Sequence, residues 1–296
     1  MLVALSGSHS EEVLGPVTFL AKRLASRVSL VHVLEGVEED VKAERYLDRV
    51  ARALRQEGLA VNTVLLAGEA GRAIIDFARG GNYGLVAMAT CGRGGGAGDA
   101  LGDVTTEVLR GWPCPLLLAR PGFGDPGAIP GDISRIVVPL DGSGVAEEAL
   151  PYAEQLARRL ALPVTLVEAI SVSCQAVAAV PEPAATDIRP SSDWRQSFSD
   201  HPLQVESRLD VSTTSYLSDV CERLTDKGID ATWHAPWGAA PDAILEHVRQ
   251  GDGALIVMSA RGSSGLDRAS VGSVAHAVIR AAPTPILTVP ARRGSA

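Results

Sequence analysis

Short, nearly continuous apolar runs alternate along the whole chain with stretches in which apolar residues recur at helical spacing. The runs fall at 2–5, 28–33, 61–65, 84–88 and 115–119, and again at 135–140, 163–169, 229–233, 254–258 and 285–289. Val, Ile, Leu and Ala dominate them, the pattern of strands buried on both faces rather than of half-exposed ones. Between the runs lie helical patterns such as Ala149, Leu150, Tyr152, Ala153 and Leu156, or Ala243, Ile244, Leu245 and Val248. Strand and helix alternating at this pitch predict a parallel sheet with helices on both faces. Pro139 falls at the carboxyl end of a central run, a place where a strand ladder can stop and accept a residue with no N–H.

The chain also repeats itself. Ser6 aligns with Asp141 at an offset of 135, while Val28-Ser29-Leu30-Val31 aligns with Val164-Thr165-Leu166-Val167 at 136. From Tyr46-Leu47 against Tyr216-Leu217 onward the offset is 170, and it holds through Gly92/Gly262 and Gly102/Gly272. One insertion, about 171–205, therefore lies in the second half after its second strand. It is rich in Pro, Ser and Asp, carries Trp194 and Phe198, and reads as a surface loop, with a functional lid as the alternative. The Pro- and Gly-rich stretch from Pro121 to Gly131 punctuates the join. The expected organisation is two tandem doubly wound α/β (Rossmann-like) domains, 1–121 and 133–296.

Bulk properties narrow the function. A chain of 296 residues has room for two cores, and its 46% hydrophobic and 21% charged residues suit a globular protein. A net charge of -8 argues against a nucleic-acid partner, since no basic stripe is available to neutralise phosphates. No apolar run is long enough for a membrane span, and the start does not read as a signal peptide, so the expected setting is the cytoplasm. Cys91, Cys114, Cys174 and Cys221 lie far apart and read as buried thiols, not as a zinc site or a disulfide frame. His32 falls within a buried run and reads as a core histidine with a satisfied ring. Trp233 and Trp237 flank His234 and suggest either packing under the insertion or an aromatic patch for a partner.

Candidate chemistry collects at the carboxyl ends of the runs, where an open parallel sheet places its ligand crevice. Asp141 follows the first run of the second half and can accept hydrogen bonds from sugar hydroxyls or an adenine amine. The bland alternative for Asp141-Gly142-Ser143 is an ordinary helix cap. Ser259 to Gly262 follow the fourth run, and Gly272-Ser273 opens a helix. Free N–H groups at a helix start, with glycine allowing close approach, suit a phosphate. Arg261 and Arg268 add positive charge nearby.

Asp141-Gly-Ser after an apolar strand, the spacing Gly262-x9-Gly272-Ser273 and the closing Ala282-Pro-Thr-Pro-Ile-Leu-Thr-Val resemble the universal stress protein family. Trp112-Pro-Cys-Pro-Leu-Leu-Leu-Ala ends the first half in the same manner, so the resemblance spans nearly the whole chain. It implies, in each half, a five-stranded parallel sheet of order 3-2-1-4-5. Nucleotide-binding members hold ATP through Gly-x2-Gly-x9-Gly-Ser/Thr and an Asp after strand 1. Carried over, the resemblance puts adenine and ribose near Pro139, Leu140, Asp141, Ala169 and Met258. Ser259, Gly262, Gly272, Ser273, Val274 and Ala275 would line the phosphates. Ser259 stands where the motif has its first Gly.

The first half departs further. Ser6 replaces the Asp, Ala89 the first Gly, and Asp103 the hydroxyl residue after Gly102. An ionised Asp103 facing a phosphate would cost roughly 4 kcal/mol for charges about 4 Å apart at an effective dielectric of about 20. A helix N-terminus returns only about 0.3–2 kcal/mol, so the first half is expected to hold no ATP.

The resemblance thus implies a stress-response-type regulatory protein, not an enzyme, that binds ATP (with or without Mg2+) in its second half. It also implies pairing through the terminal strands 115–119 and 285–289, within one chain or between copies, and a protein partner of unknown identity. Two other readings stay open: a nucleotide-free interaction module, and a slow ATP hydrolase. No Gly-Lys-Ser/Thr loop and no lysine near Gly262 or Gly272 supports fast turnover.

Overall fold

The structure, a computed structural model, describes residues 1–34, 40–90, 101–111, 114–120, 133–170, 202–251, 253–261 and 271–290. The first half runs β1 (Leu2–Ala4), a 3-10 turn (Ser8–Val13), α1 (Leu14–Arg23), β2 (Val28–Leu34), α2 (Asp40–Gln56), β3 (Val61–Ala67), α3 (Ala70–Gly80), β4 (Val86–Ala89), α4 (Asp103–Gly111) and β5 (Leu116–Ala119). The second runs β6 (Arg135–Pro139), α5 (Gly144–Glu147), α6 (Leu150–Leu160), β7 (Val164–Val167), α7 (Pro202–Thr225), β8 (Ala231–His234), α8 (Ala240–Arg249), β9 (Ala254–Ser259), α9 (Ser273–Ala281) and β10 (Ile286–Val289). Every apolar run singled out in the sequence carries a strand, and Pro139 is the last residue of β6, paired with Val167.

The strands form one ten-stranded sheet in the order β3-β2-β1-β4-β5-β10-β9-β6-β7-β8. Each half therefore has the expected order 3-2-1-4-5, with parallel neighbours throughout. The halves join by the antiparallel pairing of β5 with β10, Leu117 opposite Leu287 and Leu118 opposite Ile286. These are the two terminal strands expected to meet, and they meet within the chain. Thr288 tightens the seam by donating its buried hydroxyl to the Leu116 carbonyl at 3.2 Å.

Strand side chains alternate between two apolar layers. Leu117 and Leu287 face a layer shared with α1, α2, α6 and α7, while Leu116, Leu118 and Ile286 face one shared with α3, α4, α8 and α9. Each layer runs unbroken from one half to the other.

The insertion lies outside the described residues except at its end, where 202–205 open α7, a helix that starts earlier than its counterpart α2. Of the cysteines, Cys114 and Cys221 carry free thiols and are half-buried rather than buried; Cys91 and Cys174 lie outside the described residues. His32 is buried as expected, its Nδ1 2.7 Å from the Leu5 carbonyl. Trp233 and Trp237 are 39% and 49% exposed, Trp233 within the edge strand β8 and Trp237 just beyond it. No helix among the described residues is long and apolar enough to cross a membrane.

Because Leu117 is fully buried in the seam, Leu117→Ala should lower stability by about 2–5 kcal/mol, the range for a truncated core leucine. Urea unfolding followed by far-UV circular dichroism should show the loss in both halves together; two transitions with only one displaced would contradict a shared core.

Candidate functional site

Strand order in the second half reverses between β6 and β9, and a cleft opens beyond their carboxyl ends. Pro139, Leu140 and Asp141 form one wall, continuing from β6, with Ala169 beside them after β7. Met258 and Ser259 end β9 at the floor, and Gly272 to Ala275 begin α9 on the far wall. The second-half residues that the resemblance carried over, and Arg261, thus line one cleft, except Gly262, which lies outside the described residues, as does Arg268. The cleft also takes in Ala146, Ala240 and Ile244. The cleft measures about 110 Å³, smaller than the roughly 300–1,000 Å³ of whole small-molecule sites.

Two helices point their N-termini at the cleft. Gly272 caps α9 and, having no side chain, gives the first N–H groups of that helix no side-chain acceptor of its own. Ala239 caps α8 with no side-chain bond, but Pro241 has no N–H to offer there and Asp242 already sets a carboxylate in the first turn, so the start of α9 is the one that suits an anion. Helix starts carry a partial positive charge of about half a unit, and Arg261 adds a full one, so this side of the cleft favours an anion. A guanidinium of Arg135 donates to the carbonyls of Val248 and Gly251 at 3.0 and 2.8 Å, fixing the far end of α8 against the start of β6. Ser259 is nearly buried, and its Oγ accepts the Arg261 N–H at 3.3 Å. The serine that replaces the motif's glycine therefore braces the turn that carries Arg261.

Asp141 is exposed on the opposite wall. Its Oδ1 accepts from the Ser143 N–H at 3.0 Å and from the Ser143 hydroxyl at 2.5 Å. Ser143, not Asp141, caps α5, its Oγ accepting the Ala146 N–H at 3.2 Å. The capping role thus falls to the serine, and the carboxylate is oriented by it. His276 lies within α9, outside the lining.

Glu168, one residue before Ala169, is a feature the sequence reading missed. Burial, and then the nearby Asp141 charge, push its carboxyl up to about 7. Its Oε2 is buried without a hydrogen-bond partner, as is the hydroxyl of Tyr216 on α7. Glu147 lies close enough to raise the Tyr216 hydroxyl further, after burial, though no hydrogen bond of standard geometry joins them. Glu147 itself pairs with Arg223 at 3.3 Å. A carboxylate aligned with a core histidine of the first half was the available signal.

The first-half crevice is built differently. Thr105 takes the place of Ala275, and its buried hydroxyl donates to the Ala89 carbonyl at 3.1 Å, across the position that Ser259 occupies in the second half. The Ser6 N–H donates to the Ser10 hydroxyl at 2.9 Å, and that hydroxyl donates to the Gly7 carbonyl at 2.6 Å. Tyr46 donates to the same carbonyl at 2.8 Å. Asp103 stands exposed at the start of α4. The Ser6 amide, the Ser10, Tyr46 and Thr105 hydroxyls and the Gly7 and Ala89 carbonyls are thus engaged with one another. Glycine-rich 92–98 lies outside the described residues.

Fold and cleft together define a tandem α/β protein with a crevice at a strand-order reversal. The model of the universal stress protein family matches residues 1–120 and 133–290, and the chain belongs to that family. Universal stress protein YxiE of Bacillus subtilis is 26% identical over 162 residues, 53% of this chain and 98% of that protein. Among solved structures, a universal stress protein from Archaeoglobus fulgidus matches with a TM-score of 0.65 and 19% identity, covering 98% of each chain. A putative universal stress protein from Pseudomonas aeruginosa matches with a TM-score of 0.64 and 15% identity, over 98% of this chain and 91% of its own. At those identities the structural likeness speaks for the fold.

A carboxyl whose folded value is about 7 against an ordinary 4.5 binds more protons folded than unfolded between those limits. Stability should therefore fall as pH rises from about 4.5 to 7, the opposite of a paired carboxylate. Thermal melts across that range should show this component in the wild type and lose it in Glu168→Gln.

Proposed function

We propose that the second half binds an adenine nucleotide, ATP in the first instance, and that the protein acts as a stress-response-type regulator with no or slow turnover. The observation that carries the reading is one cleft with a carboxylate on one wall and the start of α9 plus Arg261 on the other. Apolar Leu140, Ala169, Ile244 and Met258 suit the faces of a base, and Asp141 suits hydroxyl or amine donors. The N–H groups of Ser273, Val274 and Ala275 suit phosphate oxygens, and Mg2+, where present, would accompany the phosphates.

The first half, with its crevice groups bonded internally, would serve as the structural partner that makes the chain a pseudo-dimer. Nucleotide binding would favour one arrangement of the cleft walls over another and so change the surface shown to a protein partner; further self-association and a cytoplasmic setting go with this reading. The engaged first-half crevice and Ser259 in place of glycine favour a second reading, a nucleotide-free interaction module.

Mass spectrometry of small molecules released from heat-denatured protein should find about one adenine nucleotide per chain, or calorimetry with MgATP should find one site. Asp141→Ala and Gly272→Asp should abolish binding, while Ser6→Ala leaves it unchanged. Equal loss from both halves would refute the asymmetry, and no binding at all would move the protein to the interaction module. Steady-state hydrolysis should stay below about 1 per second, the low end of ordinary enzyme rates.

A further inference from the structure

We propose that Glu168 and Tyr216 are positioning residues for the Asp141 loop. When Glu168 carries a proton, the two side chains latch the Leu140 and Gly142 carbonyls, and the latched loop binds nucleotide more tightly. The inference rests on the nucleotide reading of the cleft and adds a proton to it.

The first half shows the latch closed. His32 Nδ1 lies 2.7 Å from the Leu5 carbonyl, and the Tyr46 hydroxyl donates to the Gly7 carbonyl at 2.8 Å. In the repeat, Glu168 aligns with His32, Tyr216 with Tyr46, Leu140 with Leu5 and Gly142 with Gly7. The loops leave the sheet from the same register, since Leu5 N–H donates to Val31 at 2.9 Å and Leu140 N–H to Val167 at 2.8 Å. They then diverge: φ is +134° at Gly7 and +73° at Gly142.

The second half holds the parts of the latch unjoined. The Tyr216 hydroxyl and Glu168 Oε2 are both buried without a hydrogen-bond partner. Such atoms cost free energy that a nearby acceptor would recover for the tyrosine, and for the glutamate only if it carries a proton to donate. Glu168 already lies against the loop, its Oε1 3.9 Å from the point where a side chain on Gly142 would begin.

The surroundings decide the direction of the proton effect. Asp141 follows β6, and Glu147 stands on α5, with Tyr216 and Arg223 on α7. On the β8 side the Glu168 N–H donates to the His234 carbonyl at 3.2 Å. Arg223 is engaged with Glu147, and burial together with the Asp141 charge favours the neutral acid at Glu168. Phosphates arriving in the cleft add negative charge, and binding then takes up a proton. With the Glu168 carboxyl near 7 in the nucleotide-free protein, that uptake falls in the neutral range.

The test is MgATP calorimetry from pH 6 to 8.5 on the full chain, with carbon-13 NMR of the glutamate carboxyls in the nucleotide-free protein. Wild-type affinity should fall above pH 7 by up to tenfold per pH unit, the limit for uptake of one proton. Glu168→Gln, which keeps a neutral donor, should hold its affinity flat over the same range. Tyr216→Phe should weaken binding roughly two- to tenfold at pH 6, the range of one net hydrogen bond. Without nucleotide, the Gly142 and Ser143 amide resonances should follow the Glu168 titration and be pH-independent in Glu168→Gln. Parallel affinity profiles for wild type and Glu168→Gln, or a Glu168 carboxyl titrating in the ordinary range, would overturn the latch. If the resonances follow Glu168 but MgATP binds at no pH, the nucleotide reading falls and the loop latch stands. If they do not follow it, the latch falls whatever the binding shows.

Discussion

The antiparallel pairing of β5 with β10 is the constraint on which the rest of the molecule depends. Each half alone would end in an exposed apolar edge, Leu116–Ala119 or Ile286–Val289, with its ladder of N–H and C=O groups unpaired. Joined, the edges satisfy each other and carry both apolar layers across the midline. The seam also fixes the polarity of the whole. All strands of one half run opposite to those of the other, so the two crevices open at opposite ends of the sheet. Neither crevice borrows a wall from the other, which leaves each free to change on its own.

They have changed in opposite senses. In the first half, Thr105, His32, Tyr46 and Ser10 direct their polar atoms to main-chain groups around the ends of β1 and β4. That closes hydrogen bonds locally and leaves little for a ligand to gain. In the second half, Ala275 has no hydroxyl to offer, and Glu168 and Tyr216 are unjoined. Polar groups without internal partners are a cost in an empty fold and a source of affinity in a liganded one. The same duplicated frame thus carries one crevice whose polar groups are joined to its own main chain and one in which buried polar atoms are left unjoined.

Electrostatics within the second crevice are divided rather than uniform. Asp141 stands on the side of β6, and Arg261 with the start of α9 stands on the side of β9. A ligand with hydrogen-bond donors at one end and anionic oxygens at the other matches both walls, and the apolar floor separates them. The burial that makes Glu168 sensitive to protons follows from its place under the Asp141 loop, on the α7 side of the sheet.

Much of this was legible in the chain. Strand positions followed from continuous Val, Ile and Leu runs, because a strand covered on both faces has no polar side to show. The asymmetry of the halves was legible in Ser6 for Asp141 and Asp103 for Ser273, since these substitutions change charge. Asp141 after β6 and Ser259 at the end of β9 followed from the rule that open parallel sheets bind at their carboxyl ends, and Ala169 after β7 from the resemblance to universal stress proteins. Ala240 and Ile244 were not legible, because small apolar residues at a helix start look the same whether they face a core or a cleft. Nor was Glu168, whose meaning depends on what lies over it: Gly142, Asp141 and Tyr216, from elements distant in sequence. The sequence by itself determined the elements, their duplication and the residue types at the crevice, because local periodicity and spacing encode those. Only the tertiary structure decided which polar atoms are joined and which are left buried and alone, because that depends on ångström-scale approach between segments that no local pattern records.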